Sequence, residues 1–541
     1  MKKLNVIKQL NGTFLSGLSI ALLIAAGCNK KLETQSSAAT ATQNMWKSYD
    51  DARAGLVAIY GLSRAALAEN NAHWLYGDLR KGNFTSTVSG NYLDAVIKNE
   101  LNKGFPQIRQ LTNWRRFYAA IDACNTFIEN APKCKEDLRY SDLNNKVDVA
   151  QAHLLRAFLY FYITRIWGDV PLITAASNNG EIKQTARTPQ DQVMNFCIDE
   201  LRLYKDSLPT EYGGDDRSQL NYDGGYYGQG WSSWGNSFWG YYQCLGVMAQ
   251  IYAWMGDYQS CLQVTTEINS NAAAARTDYV SAGNARAYLA GANSIFYSNG
   301  VKGSLCYQLI SFPYNMASRE SGPSGVGHIE SLTLADPYIP RSAPDLYISR
   351  DTIAKWFYTI DDYRHPYQPE FNNYENIYFT NYYGTIPIFG KFKNIAPGAN
   401  TFTIFGSCIP LYRFEDNRLL MAEAQYALGD FSGAYGSLNS VRGARNAPGY
   451  WTATKNQYTG FSLPPTEQSM EGGLLYNIFR ERRIELAGEG TWWYDQVRYN
   501  RLVRDNPEFN RLLDEGGIYW PIDQEIISKN PLIEQNAYWK R

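Results

Sequence analysis

The sequence predicts a mainly α-helical protein, a scaffold of packed helix pairs that carries long loop insertions with minor β-hairpins. Three observations lead there. In the stretch Ala150 to Ile173, Ala150, Leu154, Ala157, Phe158 and Phe161 recur at helical spacing, and Leu155, Leu159, Tyr162 and Ile166 form a second apolar row. A helix apolar on two faces is buried between layers. The segments MAQIYAWMGDYQSCLQVTTEI, from Met248, and MAEAQYALGDFSGAYGSLNSV, from Met421, align without a gap and share Met-Ala and a Gly-Asp-aromatic turn. From about Ala272 to Phe405 the helical period fades and Gly, Pro, Tyr, Asn and Ser dominate.

At the amino terminus Lys2, Lys3 and Lys8 precede an apolar run from Phe14 to Ala26. That is the layout of a secretory signal, too short for a good spanning helix. Ala25, Ala26 and Gly27 stand directly before Cys28, an arrangement that resembles the lipobox of bacterial lipoproteins. The expected mature chain begins at an acylated Cys28, and residues 28–45, rich in Ser, Thr, Ala and Gln, form a flexible tether. Asn29, Lys30 and Lys31 lack the acidic pair common in surface-export signals. Residues 46–541 then form one folded unit: helical scaffold over 46–270 and 406–541, loop-rich insertion over 271–405.

Within that unit, Tyr49, Asp50 and Asp51 open a helix running to about Leu67, followed by a loop holding His73, Trp74, Tyr76, Asp78 and Arg80. Trp114, Phe117, Ile121, Asn125 and Ile128 give the next helix. In the central helix His153, Arg156, Tyr160 and Thr164 form one narrow polar stripe, so Arg156 needs a carboxylate or carbonyl partner. Gly168 and Pro171 end that helix, and Val193 to Leu208 is helical again. Between Glu211 and Tyr242 the run NYDGGYYGQGWSSWGNSFWGYY has no persistent period and is expected as an exposed loop leading into a helix near Phe238. Its glycines lack the Gly-Lys-Ser/Thr end of a phosphate loop. A helix, a Gly-Asp turn and a second helix, as in the internal repeat, is the grammar of a tetratricopeptide-like unit. Leu305 to Ile310 and Ile386 to Phe389 are expected as hairpins. Near the end, Arg482 interrupts the apolar stripe of Leu475, Phe479 and Leu486, and Glu423 or Glu489 is its expected partner.

Several of these runs together resemble the SusD/RagB family of outer-membrane nutrient-binding lipoproteins. LLRAFLYFYITRIWGDVPLI matches the family's LRA-x-x-Y-F…GDVPL segment. Arg413, Asp416, Leu419, Leu420 and Ala422-Glu423-Ala424 match its R-x-x-D-x-x-L-x-x-AEA helix. FRERRIELAGEGTWWYDQVR matches its ERR-x-EL…EG-x-x-W-x-D-x-x-R signature, and Pro521 through Asn536 its terminal PIP…NP…QN segment. Looser signposts are Asp362/Arg364 and Gly390-Lys391-Phe392. The resemblance spans nearly all of the mature chain. It implies a surface lipoprotein that binds an oligo- or polysaccharide, or in some members a peptide, and delivers it to a SusC-like TonB-dependent transporter.

Composition narrows the alternatives. A net charge of -1 gives no basic field for nucleic acid. Eight scattered cysteines without a CxxC pair, and four histidines without HExxH, offer neither a zinc site nor a histidine proton-transfer centre, and no cofactor is expected. Gly322-Pro323-Ser324-Gly325-Val326 places Val where a nucleophile elbow needs its second Gly. With 52 acidic residues, counting carboxylates cannot single out a glycosidase pair. The 41 Tyr and 14 Trp supply flat apolar faces with a polar edge, the chemistry that stacks on sugar rings or wet peptides. The ligand-binding candidates are Trp74, Asp78, Arg80, Tyr226, Tyr227, Trp231 and Trp234, and Arg156, Arg413, Glu423 and Arg482 are structural. A lipid-anchored helical polysaccharide-degrading enzyme and a partner-holding scaffold whose loops bind nothing small stand as the alternatives.

Overall fold

The computed structural model describes residues 45–177, 184–212, 226–227, 237–273, 275, 295–296, 301–302, 305–306, 308–315, 320, 325–357, 361–366, 378–397, 403–447, 449–450, 458–459 and 473–540. Cys28, the tether, Trp231 and Trp234 lie outside that set. The fold is mainly helical, in agreement with the expectation.

Helix α1 (Tyr49–Ala68) starts on a capping box: Ser48 Oγ accepts from Asp51 N, and the Asp51 carboxylate accepts from Ser48 N at 2.9 Å. Helix α2 (Arg115–Asn130) packs against it and against α3 (Asp142–Trp167), and α4 (Gln190–Tyr204) covers another side of α3. Every residue from Ala150 to Thr164 is buried, as a helix with two apolar faces requires. The last carbonyls of α3 find partners far along the chain: Trp520 N donates to Ile166 O at 2.7 Å, and Arg187 Nη2 to Trp167 O at 3.1 Å.

The internal repeat folds twice in the same way. Helices α5 (Tyr241–Met255) and α6 (Tyr258–Ser270) turn through Gly256 and Asp257, and α7 (Phe414–Ala427) and α8 (Phe431–Ala444) through Gly429 and Asp430. The two aspartates have φ, ψ of −81°, 73° and −81°, 72°, and each carboxylate caps its second helix by accepting from the amide three residues on. Helix α6 packs directly on α7, so the two units stack on each other although about 140 residues of chain separate them. Helices α9 (Gly473–Glu485) and α10 (Trp492–Val503) complete the scaffold.

Among the described residues the strands are short and pair in twos. β1 (Phe84–Ser86) pairs with β3 (Leu346–Ile348), and β4 (Phe379–Thr380) with β5 (Ile388–Phe389). β2 (Gln308–Phe312) pairs antiparallel with β6 (Ile409–Arg413), with Ile409 opposite Phe312 and Arg413 opposite Gln308. The expected hairpin at 305–310 is therefore only partly local. Leu305–Cys306 pairs with Val301–Lys302, whereas the next strand reaches across the insertion and ties its end to its beginning. The segment from His73 to Arg80, expected as a loop, is helical: one α turn (Ala72–Trp74) runs into a π turn (Leu75–Leu79).

Candidate functional site

Of the residues first expected to meet a ligand, the five that are described, Trp74, Asp78, Arg80, Tyr226 and Tyr227, are inside the protein. Trp74 is 1% exposed and its indole donates to Gly488 O at 2.9 Å. Asp78 accepts from Gly490 N at 2.6 Å, and burial pushes its carboxyl up to about 7. Arg80, fully buried, donates to Gly517 O at 2.8 Å and Ile518 O at 2.6 Å and lies 4.0 Å over the Trp493 ring. Burial without a carboxylate partner pulls Arg80 down to about 9. The physical reason for this interior placement is a close backbone approach. A Cβ on Gly77 would stand 2.0 Å from Gly490 O, so the Gly-Asp turn and the Glu489-Gly490 turn are wedged together. His73 completes the wedge, with Nε2 3.0 Å from Glu489 O and Nδ1 2.9 Å from Tyr162 Oη.

Tyr226 and Tyr227 are buried too. Both hydroxyls donate to Asp148 on α3, Tyr227 at 2.6 Å, joined by Tyr140 at 3.0 Å. Burial raises Asp148 to about 6 although three hydroxyls oppose the shift. A carboxylate this deep needs donors, and the two tyrosines serve it rather than a ligand.

The motif residues build a buried ionic network. Arg364, Lys391, Arg413, Arg442 and Arg445 face Asp362, Glu415, Glu481, Glu485 and Glu489, so the charges within this group balance. Glu485 sits at the centre, within 2.8 Å of Arg364 and Arg413 and 2.7 Å of Arg445, and those three guanidiniums hold its carboxyl well below the usual range despite burial. Arg482 is buried and paired as expected, but with other partners. It reaches Asp416 at 2.7 Å and Asp495 at 2.9 Å, whereas Glu423 is held by Arg498 at 2.9 Å and Glu489 by Arg413 and Lys391. Asp495 lies 13 residues after Arg482, beyond the turn into α10, so the α9 pattern alone does not reveal it. Arg156 obtains its carboxylate from Glu200 on α4 and also donates to Asn125 Oδ1 at 2.7 Å.

This network positions a surface. Tyr378 donates to Glu485 O at 3.3 Å, and Lys391 Nζ to Glu485 O at 2.8 Å, Ala487 O at 2.9 Å and Glu489 Oε1 at 2.6 Å. Both ends of the β4–β5 hairpin are thus pinned to the scaffold beyond α9, and its tip projects outward. At the tip Tyr383 is 60% exposed and meets the half-buried Tyr382 edge to face, with centroids 5.0 Å apart. The turn is held by Gly384 N donating to Asn381 O at 3.0 Å, by Asn381 Nδ2 donating to Ile386 O at 3.2 Å, and by the Arg350 guanidinium on Gly384 O. Beside it Tyr338 Oη and Thr380 Oγ1 share a hydrogen bond of 2.6 Å, and Lys393 Nζ lies 5.4 Å from the Tyr338 ring. The exposed Tyr383 ring, propped by Tyr382 on a braced turn bordered by Arg350 and Asp351, can stack on a flat apolar ligand face and hydrogen-bond its edge. This tip has no periodic signal in the sequence, although Asn381-Tyr382-Tyr383-Gly384 carries the signal of a turn that exposes its aromatics. Among the described residues, no group of three or more His, Cys, Asp or Glu side chains is arranged to hold a metal ion.

Comparison with known proteins gives this geometry its context. A family model described as the SusD family matches residues 363–539, and one described as starch-binding, associating with outer membrane, matches residues 58–219. A solved SusD superfamily protein from Bacteroides thetaiotaomicron is 38% identical, with a TM-score of 0.79 over 92% of this chain and 99% of its own. The chain belongs to the SusD family. SusD-like protein P38 of Formosa agariphila is 25% identical over 99% of this chain and 100% of its own length. A further SusD homolog from B. thetaiotaomicron, 21% identical with a TM-score of 0.69 over 92% of this chain and 99% of its own, shares the fold. SusD-like proteins are glycan-binding proteins of the outer membrane, generally binders rather than enzymes. The ionic network coincides with the motifs shared with that family, so the motif residues brace the scaffold while the hairpin tip lies between them.

Proposed function

We propose that this SusD-family protein is a cell-surface lipoprotein, anchored through Cys28, that captures an oligo- or polysaccharide and delivers it to a SusC-like TonB-dependent transporter. The observation that carries the reading is the likeness over nearly the full length to a SusD superfamily protein at 38% identity. The Tyr383 ring at the hairpin tip supports it physically, since an exposed ring propped edge to face by Tyr382 on a braced turn stacks on a sugar ring with little conformational entropy to lose. Catalysis plays no part in this reading, because grip and release suffice for delivery.

Affinity electrophoresis and calorimetry against panels of polysaccharides and peptides test it. The wild type retains at least one glycan, and Tyr383→Ala weakens that binding about tenfold or more, the loss expected when a stacking ring is removed, without moving the melting temperature. Binding confined to peptides would establish a RagB-like peptide lid instead. Turnover of a glycan would establish an enzyme, and absence of binding across both panels a partner scaffold.

A further inference from the structure

A cavity of about 20 Å³ lies where α3, α5, α7, α9 and α10 converge, at the joint between the two repeat units and the central helix. Three of the side chains that line it carry a buried hydrogen-bond donor that no protein group meets: Arg165 Nε, Trp254 Nε1 and Tyr494 Oη. Trp254 is 4% exposed and Tyr494 2%. The three sit together, since the Arg165 guanidinium lies 4.2 Å over the Tyr494 ring and Trp254 meets the same ring edge to face with centroids 6.1 Å apart. Arg165 is held between the Tyr494 and Phe161 rings and has no carboxylate within ion-pair distance among the described residues, so burial pulls it below its usual value. Buried donors in folded proteins are normally met, and a group of them lining one cavity points to a ligand that accepts.

The rest of the lining says which acceptor. Asp416 and Asp495 also border the cavity, but Arg482 holds both, at 2.7 and 2.9 Å, and Arg498 holds Asp495 at 2.8 Å while reaching Glu423 at 2.9 Å. Three guanidiniums thus stand with three carboxylates, and Arg165 is the one whose charge meets no carboxylate directly. Net charge therefore does not choose the ligand; the directed donors do. A water molecule accepts at two lone pairs, one fewer than the donors present, and fits in about 10–15 Å³, less than this cavity provides. A halide ion accepts from every side and is drawn to the unpaired guanidinium. Sulfate, phosphate and organic carboxylates are too large for the space.

We infer that the joint between the repeat units and α3 is a binding site for a single halide ion, chloride in ordinary saline, held by Arg165, Trp254 and Tyr494. The site does not rest on the nutrient reading. Crystals grown in sodium bromide test it without any variant, because anomalous scattering locates the ion: a bromide peak stands in this cavity, within hydrogen-bond reach of Trp254 Nε1. Urea denaturation of the full chain in detergent, in sodium chloride against sodium gluconate at equal ionic strength, reads the link to folding. Chloride at ten times its dissociation constant lowers the unfolding constant about tenfold, and gluconate, too large to enter, leaves it unchanged. Trp254→Phe and Tyr494→Phe each remove one donor and keep a ring, and each weakens chloride binding about tenfold, whatever its own stability in gluconate. Ordered water in place of the bromide peak, equal unfolding constants in the two salts, or an undiminished chloride effect in both variants overturns the inference.

Discussion

Replacing Arg482 by Met keeps the length and much of the volume of the side chain while removing its charge, so it isolates the ion pair. In the folded protein the guanidinium bridges Asp416 at 2.7 Å and Asp495 at 2.9 Å, and all three side chains are at most 6% exposed. Asp495 keeps Arg498 at 2.8 Å, but Asp416 is left with no cation within ion-pair distance among the described residues. Breaking a buried pair in this way costs about 3–5 kcal/mol. With an unfolding entropy of about 2.1 cal/mol/K per residue over a chain of this length, that lowers the melting temperature by roughly 3–4 °C. Burial already holds the Asp416 carboxyl above the usual range in spite of Arg482, and losing the arginine moves it higher still. A carboxyl raised in the folded state destabilises as pH rises through its folded value, so the deficit of Arg482→Met is widest at neutral pH and narrows on acidification. Differential scanning calorimetry at neutral and mildly acidic pH reads both effects. A variant that melts with the wild type at neutral pH, or whose deficit grows on acidification, would refute the pairing argument.

Two other outcomes follow from the same interior, and one from the amino terminus. Asp78, raised by burial to about 7, carries stability that is present at low pH and lost as pH rises through that value. Asp78→Asn should flatten the decline by about 4 kcal/mol, read by urea denaturation on either side of neutrality. Gly490→Ala places a Cβ 2.3 Å from His73 Nε2 at a φ of 75°, whereas Gly516, also at 75°, has no atom nearer than 3.8 Å. Thermal melts should show Gly490→Ala far more damaging than Gly516→Ala, which suffers backbone strain of about 1 kcal/mol alone. Cys28→Ala should release the protein from the outer-membrane fraction, and unchanged fractionation would refute acylation at that cysteine.

The scaffold was legible because its signals are local. Two apolar rows at helical spacing located α3, and the shared Gly-Asp turn located both repeat units to within a few residues. The need of Arg156 for a carboxylate could be read from one stripe, but not that Glu200 would supply it, since that depends on how α4 lies against α3. The burial of Trp74, Asp78, Arg80, Tyr226 and Tyr227 was hidden for the same kind of reason. Trp74, Asp78 and Arg80 look like a polar loop in sequence, and only the approach of the Glu489-Gly490 turn, more than 400 residues away, makes them interior. Tyr226 and Tyr227 read as a glycine-rich surface run until Asp148 draws them in. The hairpin tip was passed over because two adjacent tyrosines have no periodicity, and what exposes them is the anchoring of Tyr378 and Lys391 at either end.

The closing of α3 by the carboxy-terminal segment bears on how the molecule comes into being. Ile166 and Trp167 hand their carbonyls to Trp520 and Asn536, groups made long after the helix itself. The central helix can form earlier, and Arg187 can serve the Trp167 carbonyl, but the Ile166 carbonyl lacks its protein donor until Trp520 arrives. The order of assembly is thus written into the topology: the middle of the protein waits for a distant downstream segment, and a nascent chain stopped short of Trp520 lacks its keystone.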